Sequence, residues 1–202
     1  MMESDNPNVD LRKFGQDTQV ESRRQALAAD IKFLITKGNL YSGIKGIAIE
    51  RAESAQLAYG LCKNQFAFGN GEHSFAHEVG HIFGAQHDRE SSLPPSPFDL
   101  DPYPHGFKKP VTYNYGLFNW GIKRKLIATI MVEGRQAEGS DFNSGGHNFT
   151  WENILYFSNP NVSVYNQPIG RTDNANNSRK IREVIPLIRS FTIVPDEFRI
   201  SI

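Results

Sequence analysis

The residues able to do chemistry are concentrated in Phe75–Asp88, which reads Phe-Ala-His-Glu-Val-Gly-His-Ile-Phe-Gly-Ala-Gln-His-Asp. His77 and His81 stand four residues apart, so on a helix their imidazoles lie one above the other on a single face. Two imidazoles at that spacing can hold one zinc ion, each at about 2.0–2.1 Å. Glu78 projects from the next position round the helix and can reach a water on that metal without ligating it. Gly84, three residues after His81, can take a left-handed conformation and end the helix. The chain can then swing back and bring His87 as a third ligand. A fourth position left open for water marks a catalytic zinc site rather than a structural one.

A bare His-Glu-x-x-His is often only a helix with two surface histidines. The longer His-Glu-x-x-His-x-x-Gly-x-x-His specifies three ligands, a base and a turn together, and it resembles the metzincin signature. Downstream, Ala128-Thr129-Ile130-Met131-Val132-Glu133-Gly134 places Met131 where that resemblance requires a methionine-bearing turn. By itself Met131 would read as ordinary core filler. Asp88 directly after the third histidine, the Thr-Ile-Met turn and Tyr156-Phe157-Ser158-Asn159-Pro160 are similar to the adamalysin/reprolysin-like branch of the metzincins. Pro168-Ile169-Gly170 and Asp173-Asn174-Ala175-Asn176-Asn177 resemble its bacterial members. The resemblance covers roughly residues 18 to 190.

The resemblance implies an α+β, zincin-like metzincin domain with a truncated mixed β-sheet, an active-site helix and a C-terminal helix. It implies one catalytic zinc on His77, His81 and His87, with Glu78 as general base in the hydrolysis of peptide bonds. Met131 forms the turn beneath the metal, and Gly84 and Asp88 give structural support, Asp88 by hydrogen bonding to that turn. Gly46, Ile47 and Ala48 match an antiparallel edge strand along the cleft, where an extended protein or peptide substrate docks by strand addition. Some relatives carry a switchable tyrosine ligand two residues after the methionine; here Glu133 stands there, so none is implied. His147 falls in the region that walls the first primed-side pocket, whereas His73 and His105 read as loop residues. Calcium is a further family possibility that no clear acidic loop supports. The resemblance implies a secreted protein, although the polar, acidic opening is unlike a secretory signal.

Composition bounds the rest. The 202 residues suit one domain and carry 22 Lys+Arg against 22 Asp+Glu, so charge offers no argument for nucleic acid or an anionic membrane. No apolar run approaches the ~20 residues of a membrane span. The single cysteine, Cys62, reads as a buried small hydrophobe. Oligomeric state is not legible.

The elements that must position the site follow from periodicity and turn signals. Residues 1–16, rich in Asp, Asn and Pro, read as a flexible lead-in, residues 17–192 as the peptidase-like domain, and 193–202 as a tail or linker. A helix is predicted over 18–29, strands over 31–36, 46–50 and 57–61, and the zinc helix over about 74–83. Residues 89–121, with six prolines, read as a long irregular connection. Ile181, Val184, Ile185, Leu187, Ile188 and Phe191 predict an amphipathic closing helix below the metal. The resemblance places a strand, a helix and a strand ahead of residue 18 that are missing here, so a three-stranded sheet with an exposed edge near Ile31–Thr36 is expected. Asn148, Asn161 and Asn176 begin glycosylation-type triplets. The rival reading is a catalytically silent zinc-binding or interaction module.

Overall fold

The computed structural model describes residues 4, 6–37, 43–68, 73–88, 106, 108–114, 122–132, 141–144 and 147–192. Two short helices open the chain and meet at one aspartate. Pro7 begins α1 (Pro7–Gln16), where a missing N–H costs nothing, and the Asn6 side chain accepts from the Asn8 N–H at 3.0 Å. Asp17 closes α1 and caps α2 (Thr18–Ala26), its Oδ1 accepting from the Gln19 and Val20 N–H groups at 2.9 and 3.1 Å. Over Pro7–Gln16 the flexible lead-in expected from the sequence is instead a helix. Its Asn, Asp and Pro are capping chemistry, and Leu11 and Phe14, one turn apart, are buried.

β1 (Lys32–Thr36), β2 (Gly46–Ala48) and β3 (Tyr59–Lys63) form a mixed sheet in the order β1-β3-β2, with β1 parallel and β2 antiparallel to the central strand. β3 starts later than its hydrophobicity suggests because Leu57 belongs to a turn and is exposed. Every β3 residue is buried, as a strand covered on both faces requires, and α3 (Asn64–Ala67) continues directly from it. Side-chain alternation sorts the two faces. Leu34, Ile47, Tyr59 and Leu61 pack under α1 and α2 against Leu11, Phe14 and Val20. Phe33 and Ala48 point the other way, toward Ile82, Val184 and Ile188 of α4 (Ser74–Ile82) and α5 (Asn177–Arg189). Among the described residues, β1 and β2 each have one strand neighbour, and Ile35 on β1 is exposed.

Past α4 the chain builds a second sheet in the order β4-β5-β7-β6, from β4 (Lys108–Asn114), β5 (Ile122–Ala128), β6 (Asp141–Ser144) and β7 (His147–Asn153). This corrects the expectation that residues 89–121 are irregular throughout, since β4 lies within them. Pro110 disguises β4: proline cannot donate to a ladder, but β4 is an edge strand, where that loss is tolerated. Leu126, Ala128, Phe149 and Trp151 make one core cluster, and Ile127, Ile154, Ile169 and Ala175 make another. The hairpin of β8 (Asn159–Val164) and β9 (Gln167–Ile169) turns at Tyr165 and Asn166, both at positive φ (52 and 60), as a type I′ turn demands. In α5 the buried Lys180, Val184 and Ile188 recur every four residues, and the Asn176 side chain caps the Arg179 N–H at 3.2 Å. Asn176 is thus a buried cap rather than an open glycosylation point. The architecture is α+β, and no helix among the described residues is long and apolar enough to cross a membrane.

One ionic cluster ties the opening helices to the sheet. Glu21 on α2 accepts from Arg24 Nη2 at 2.9 Å and from the buried Lys32 Nζ on β1 at 3.0 Å. Lys32 also donates to the Gly15 carbonyl at 3.0 Å. The Arg24 hydrogen bond, helped by Lys32, lowers the Glu21 carboxyl from 4.5 to about 2. A depressed carboxylate contributes stability above its unfolded pKa, and that contribution is lost as pH falls through the native value. Glu21→Gln should therefore lower unfolding stability at pH 7 by about 1–3 kcal/mol, since it strips a charged partner from a buried donor. In urea titrations the gap to the parent protein should close between the ordinary carboxylate range and about pH 2.

Candidate active site

The site is assembled on α4. His73, in the left-handed region at φ 49, starts the helix by accepting from the His77 N–H at 3.0 Å. Phe75 anchors it edge-on against Phe33 of β1, with ring centroids 4.7 Å apart. The helix stops at Gly84, whose φ of +79 only glycine adopts at little cost. The Gly84 N–H then reaches the His81 carbonyl at 2.8 Å and the Ala85 N–H reaches the Gly80 carbonyl at 2.9 Å, the paired bonds of a Schellman ending. Arg51 and Ala52 N–H groups satisfy the His81 and Ile82 carbonyls at 2.8 and 3.0 Å. With its carbonyls satisfied, the chain doubles back and carries His87 over the helix.

His77, His81 and His87 come together. Their Nε2 atoms lie 3.0 Å apart for the pair His77–His87 and 3.1 Å apart for His81–His87. On the far side of each ring, His77 Nδ1 faces the Ile130 carbonyl at 2.8 Å and His81 Nδ1 faces the Ala85 carbonyl at 2.9 Å. A carbonyl can only accept, so both Nδ1 atoms carry the proton and both Nε2 atoms present a bare lone pair in the neutral ring. Burial, with the neighbouring His87, pushes the His81 imidazole down to about 3, which keeps it neutral and able to ligate. Lone pairs converging on one point suit a cation. Tetrahedral zinc with Zn–N of about 2.0–2.1 Å separates its nitrogens by about 3.3–3.4 Å, close to the spacing observed, and back-bonding from Nδ1 to carbonyl is the usual support for such ligands. The donor set fits zinc.

Glu78 lies beside the trio, almost wholly buried. Its carboxylate occupies the space a side chain at position 46 would need: a Cβ on Gly46 would come within 2.7 Å of Glu78 Cγ and Oε1. Burial, reinforced by the Glu50 charge, raises the Glu78 carboxyl to about 8. Cys62 lies in β3 directly across from Gly46. It is fully buried and pushed up to about 12 by burial and then by Glu78, which leaves it an inert thiol. A cleft of about 510 Å³ is lined by the three histidines, Glu78, Glu50, Ser74, Val132 and residues 43–48. Gly46, Ile47 and Ala48 thus border the same cleft as the histidines, with the Ile47 side chain turned to the opposite face.

Met131 is fully buried in the turn after β5. Gly80 makes room for it, since a Cβ there would meet Met131 Sδ at 2.6 Å and the Phe157 ring at 2.7 Å. The preceding residue, Ile130, supplies the carbonyl that orients His77. Asp88 is buried, and its backbone adjoins that of Met131 where both crowd Gly106. His73 caps α4 and is not one of the cluster. Glu133, His105 and the His147 side chain lie outside the described residues.

Sequence reasoning missed Asn177. Its side-chain amide clasps the backbone of Gln86, accepting from the N–H at 3.1 Å and donating to the carbonyl at 3.2 Å. Its own N–H donates to the buried Ser158 Oγ at 2.8 Å. The residue next to His87 is therefore held by a contact spanning 91 positions. No local signal reveals that contact; the triplet around Asn177 reads instead as a surface motif.

A sequence model of metallo-peptidase family M12, Reprolysin_5, matches residues 2–116. The chain belongs to metallo-peptidase family M12. Peptidyl-Asp metalloendopeptidases are among the relatives of this M12 chain. That of Xanthomonas campestris pv. campestris is 28% identical over 183 residues, covering 88% of this chain and 36% of its own. That of Stenotrophomonas maltophilia is 27% identical over 197 residues, covering 94% and 39%. That of Pseudomonas aeruginosa is 28% identical over 212 residues, covering 93% and 31%. The chain thus spans well under half the length of these relatives. Its fold is similar to a chain in a solved structure titled "Structure of a chaperone-substrate complex", with a TM-score of 0.60 at 17% identity over 96% of this chain and 26% of that one.

Removing the clasp tests its part in the site. Asn177→Ala should weaken zinc affinity about 10–100-fold, as loss of a ligand-supporting partner does. Chelator competition measures this, and an unchanged far-UV circular dichroism spectrum would show that the fold survives.

Proposed function

We infer that this chain is a zinc-dependent metalloendopeptidase domain of metzincin type, acting on an extended protein or peptide. The observation that carries the reading is the convergence of three Nε2 atoms beside a buried carboxylate and an open strand edge. His77, His81 and His87 would hold one zinc ion, which when bound supplies a Lewis acid that polarises the scissile carbonyl and acidifies water. Calcium forms no part of the reading. The outer edge of β2 offers backbone N–H and C=O groups to a peptide laid alongside it, which aligns one peptide bond with Glu78. Glu78 Oε1 takes a proton from the attacking water and returns it to the departing amine nitrogen. Burial favours the protonated carboxyl, so the carboxylate is a strong base and its acid form a ready donor. Met131 packs under α4 at Gly80, and its turn fixes the His77 ring through Ile130. The name of the relatives supports peptidyl-Asp bonds as the substrate class, and the family resemblance supports action outside the cell.

Glu78→Ala should retain stoichiometric zinc while hydrolysis of a generic peptide library falls by about 10²–10⁴, the usual cost of deleting a general base. Metal analysis and chelator-sensitive turnover check this together. Zinc without chelator-sensitive hydrolysis in the parent protein would instead make the chain a silent metal-binding module. Gly46→Ala should also keep the metal yet lose about 10²-fold in turnover, because the added methyl forces the carboxylate to move by ~1 Å or more.

A further inference from the structure

The cleft carries its charges at opposite ends of β2. Lys45 immediately precedes the strand and Glu50 follows it by two residues, and both line the cleft. Lys45 is the only lysine or arginine among the described lining residues. A second cation lies at the same end: Lys45 and Lys63 Nζ sit 5.6 and 6.0 Å from the centre of one ring, Phe66. Their backbones are also joined, the Lys63 N–H donating to the Lys45 carbonyl at 2.9 Å. The positive end is therefore built by the end of β3 together with the residue leading into β2, and not by one side chain alone. Glu50, by contrast, leaves the other end negative.

The position of the catalytic carboxylate gives this polarity a reference point. Glu78 fills the space above Gly46, the very next residue after Lys45. A peptide paired with β2 advances about 3.3 Å per residue, and a lysine side chain spans about two such steps. We propose that Lys45, backed by Lys63, is the specificity-determining cation of the cleft, engaging an acidic side chain within about two residues of the scissile bond, while Glu50 disfavours acidic residues farther along the same peptide. This rests on the peptidase reading above but concerns a residue with no part in metal binding or proton transfer. The occupant is an extended peptide bearing Asp or Glu, matched to the cleft by opposite charge.

Paired peptides differing only in Asp versus Asn at each position flanking the cleaved bond test the inference, with both kcat/KM and equilibrium Kd measured. The parent protein should favour the Asp member at one position by about tenfold, the scale of one partly exposed charged contact. Lys45→Met should bring that ratio close to one, Lys45→Glu should reverse it in favour of Lys-bearing peptides, and Lys45→Arg should largely preserve it. Zinc content should stay the same throughout. Glu50→Gln should relax discrimination only at positions farther from the bond. Asp preference that survives Lys45→Met, or no acidic preference in the parent protein, would overturn the inference while leaving the peptidase reading intact. Lys45-dependent tighter binding of the Asp peptide without any hydrolysis would uphold the inference and sink the peptidase reading.

Discussion

Three imidazole Nε2 atoms aimed at one point constrain everything else in this molecule. Nitrogens this close either share a proton or repel through their lone pairs, so the rings must be gripped from behind, and a cation in front would relieve the repulsion. The grip is visible in the carbonyls of Ile130 and Ala85, each accepting from an Nδ1–H and so fixing both tautomer and ring plane. The Ala85 carbonyl is available only because Gly84 turns the chain left-handed straight after the helix. Helix ending, ligand orientation and return of the third histidine are one backbone event.

Each ligand is steadied by a different part of the fold. His77 depends on the turn after β5, hence on the second sheet and on Met131 packed against Gly80. His81 depends on its own helix ending. His87 depends on Asn177 at the start of α5, which clasps Gln86 and is itself seated on Ser158. These contacts are buried or partly buried, where a half-satisfied polar group is costly, so the pieces stabilise one another cooperatively. The closing helix completes the arrangement: Ile181 packs on Met131 and Ala85, while Val184 and Ile188 pack on Ile82.

Glu78 is the costly element. A carboxylate buried at the base of a cleft, with Glu50 nearby and apolar β3 beneath, resists ionisation. The positive charge of a bound zinc would act in the opposite sense, coupling metal and carboxylate energetically. Room for the group comes from a missing side chain, Gly46, on a strand that has one strand neighbour among the described residues. The glycine that admits the carboxylate thus belongs to a strand bordering the same cleft as the histidines.

How much of this was legible depends on how far apart the partners lie in the chain. The two histidines of α4, the carboxylate between them and the glycine that ends the helix act within eight residues, so helical geometry alone dictates their relation. Turn signals and apolar runs likewise located the three strands of the first sheet, although β3 begins two residues later than its hydrophobicity suggests. The helix at 7–16 was hidden because capping residues and disordered residues share a composition, and β4 because Pro110 looks like a breaker until its strand is known to be an edge. Gly46 was read for its backbone, but its lack of a side chain matters to Glu78, 32 residues on, and only packing shows that. The sequence by itself determined which chemistry α4 offers, two imidazoles and a carboxylate at fixed spacing, since spacing on one helix is a local property. Which residues hold that chemistry in place, Asn177, Ser158, Gly80 and the Ile130 carbonyl, was decided by tertiary structure alone, because hydrogen bonding and close packing between distant segments leave no periodic trace in the chain.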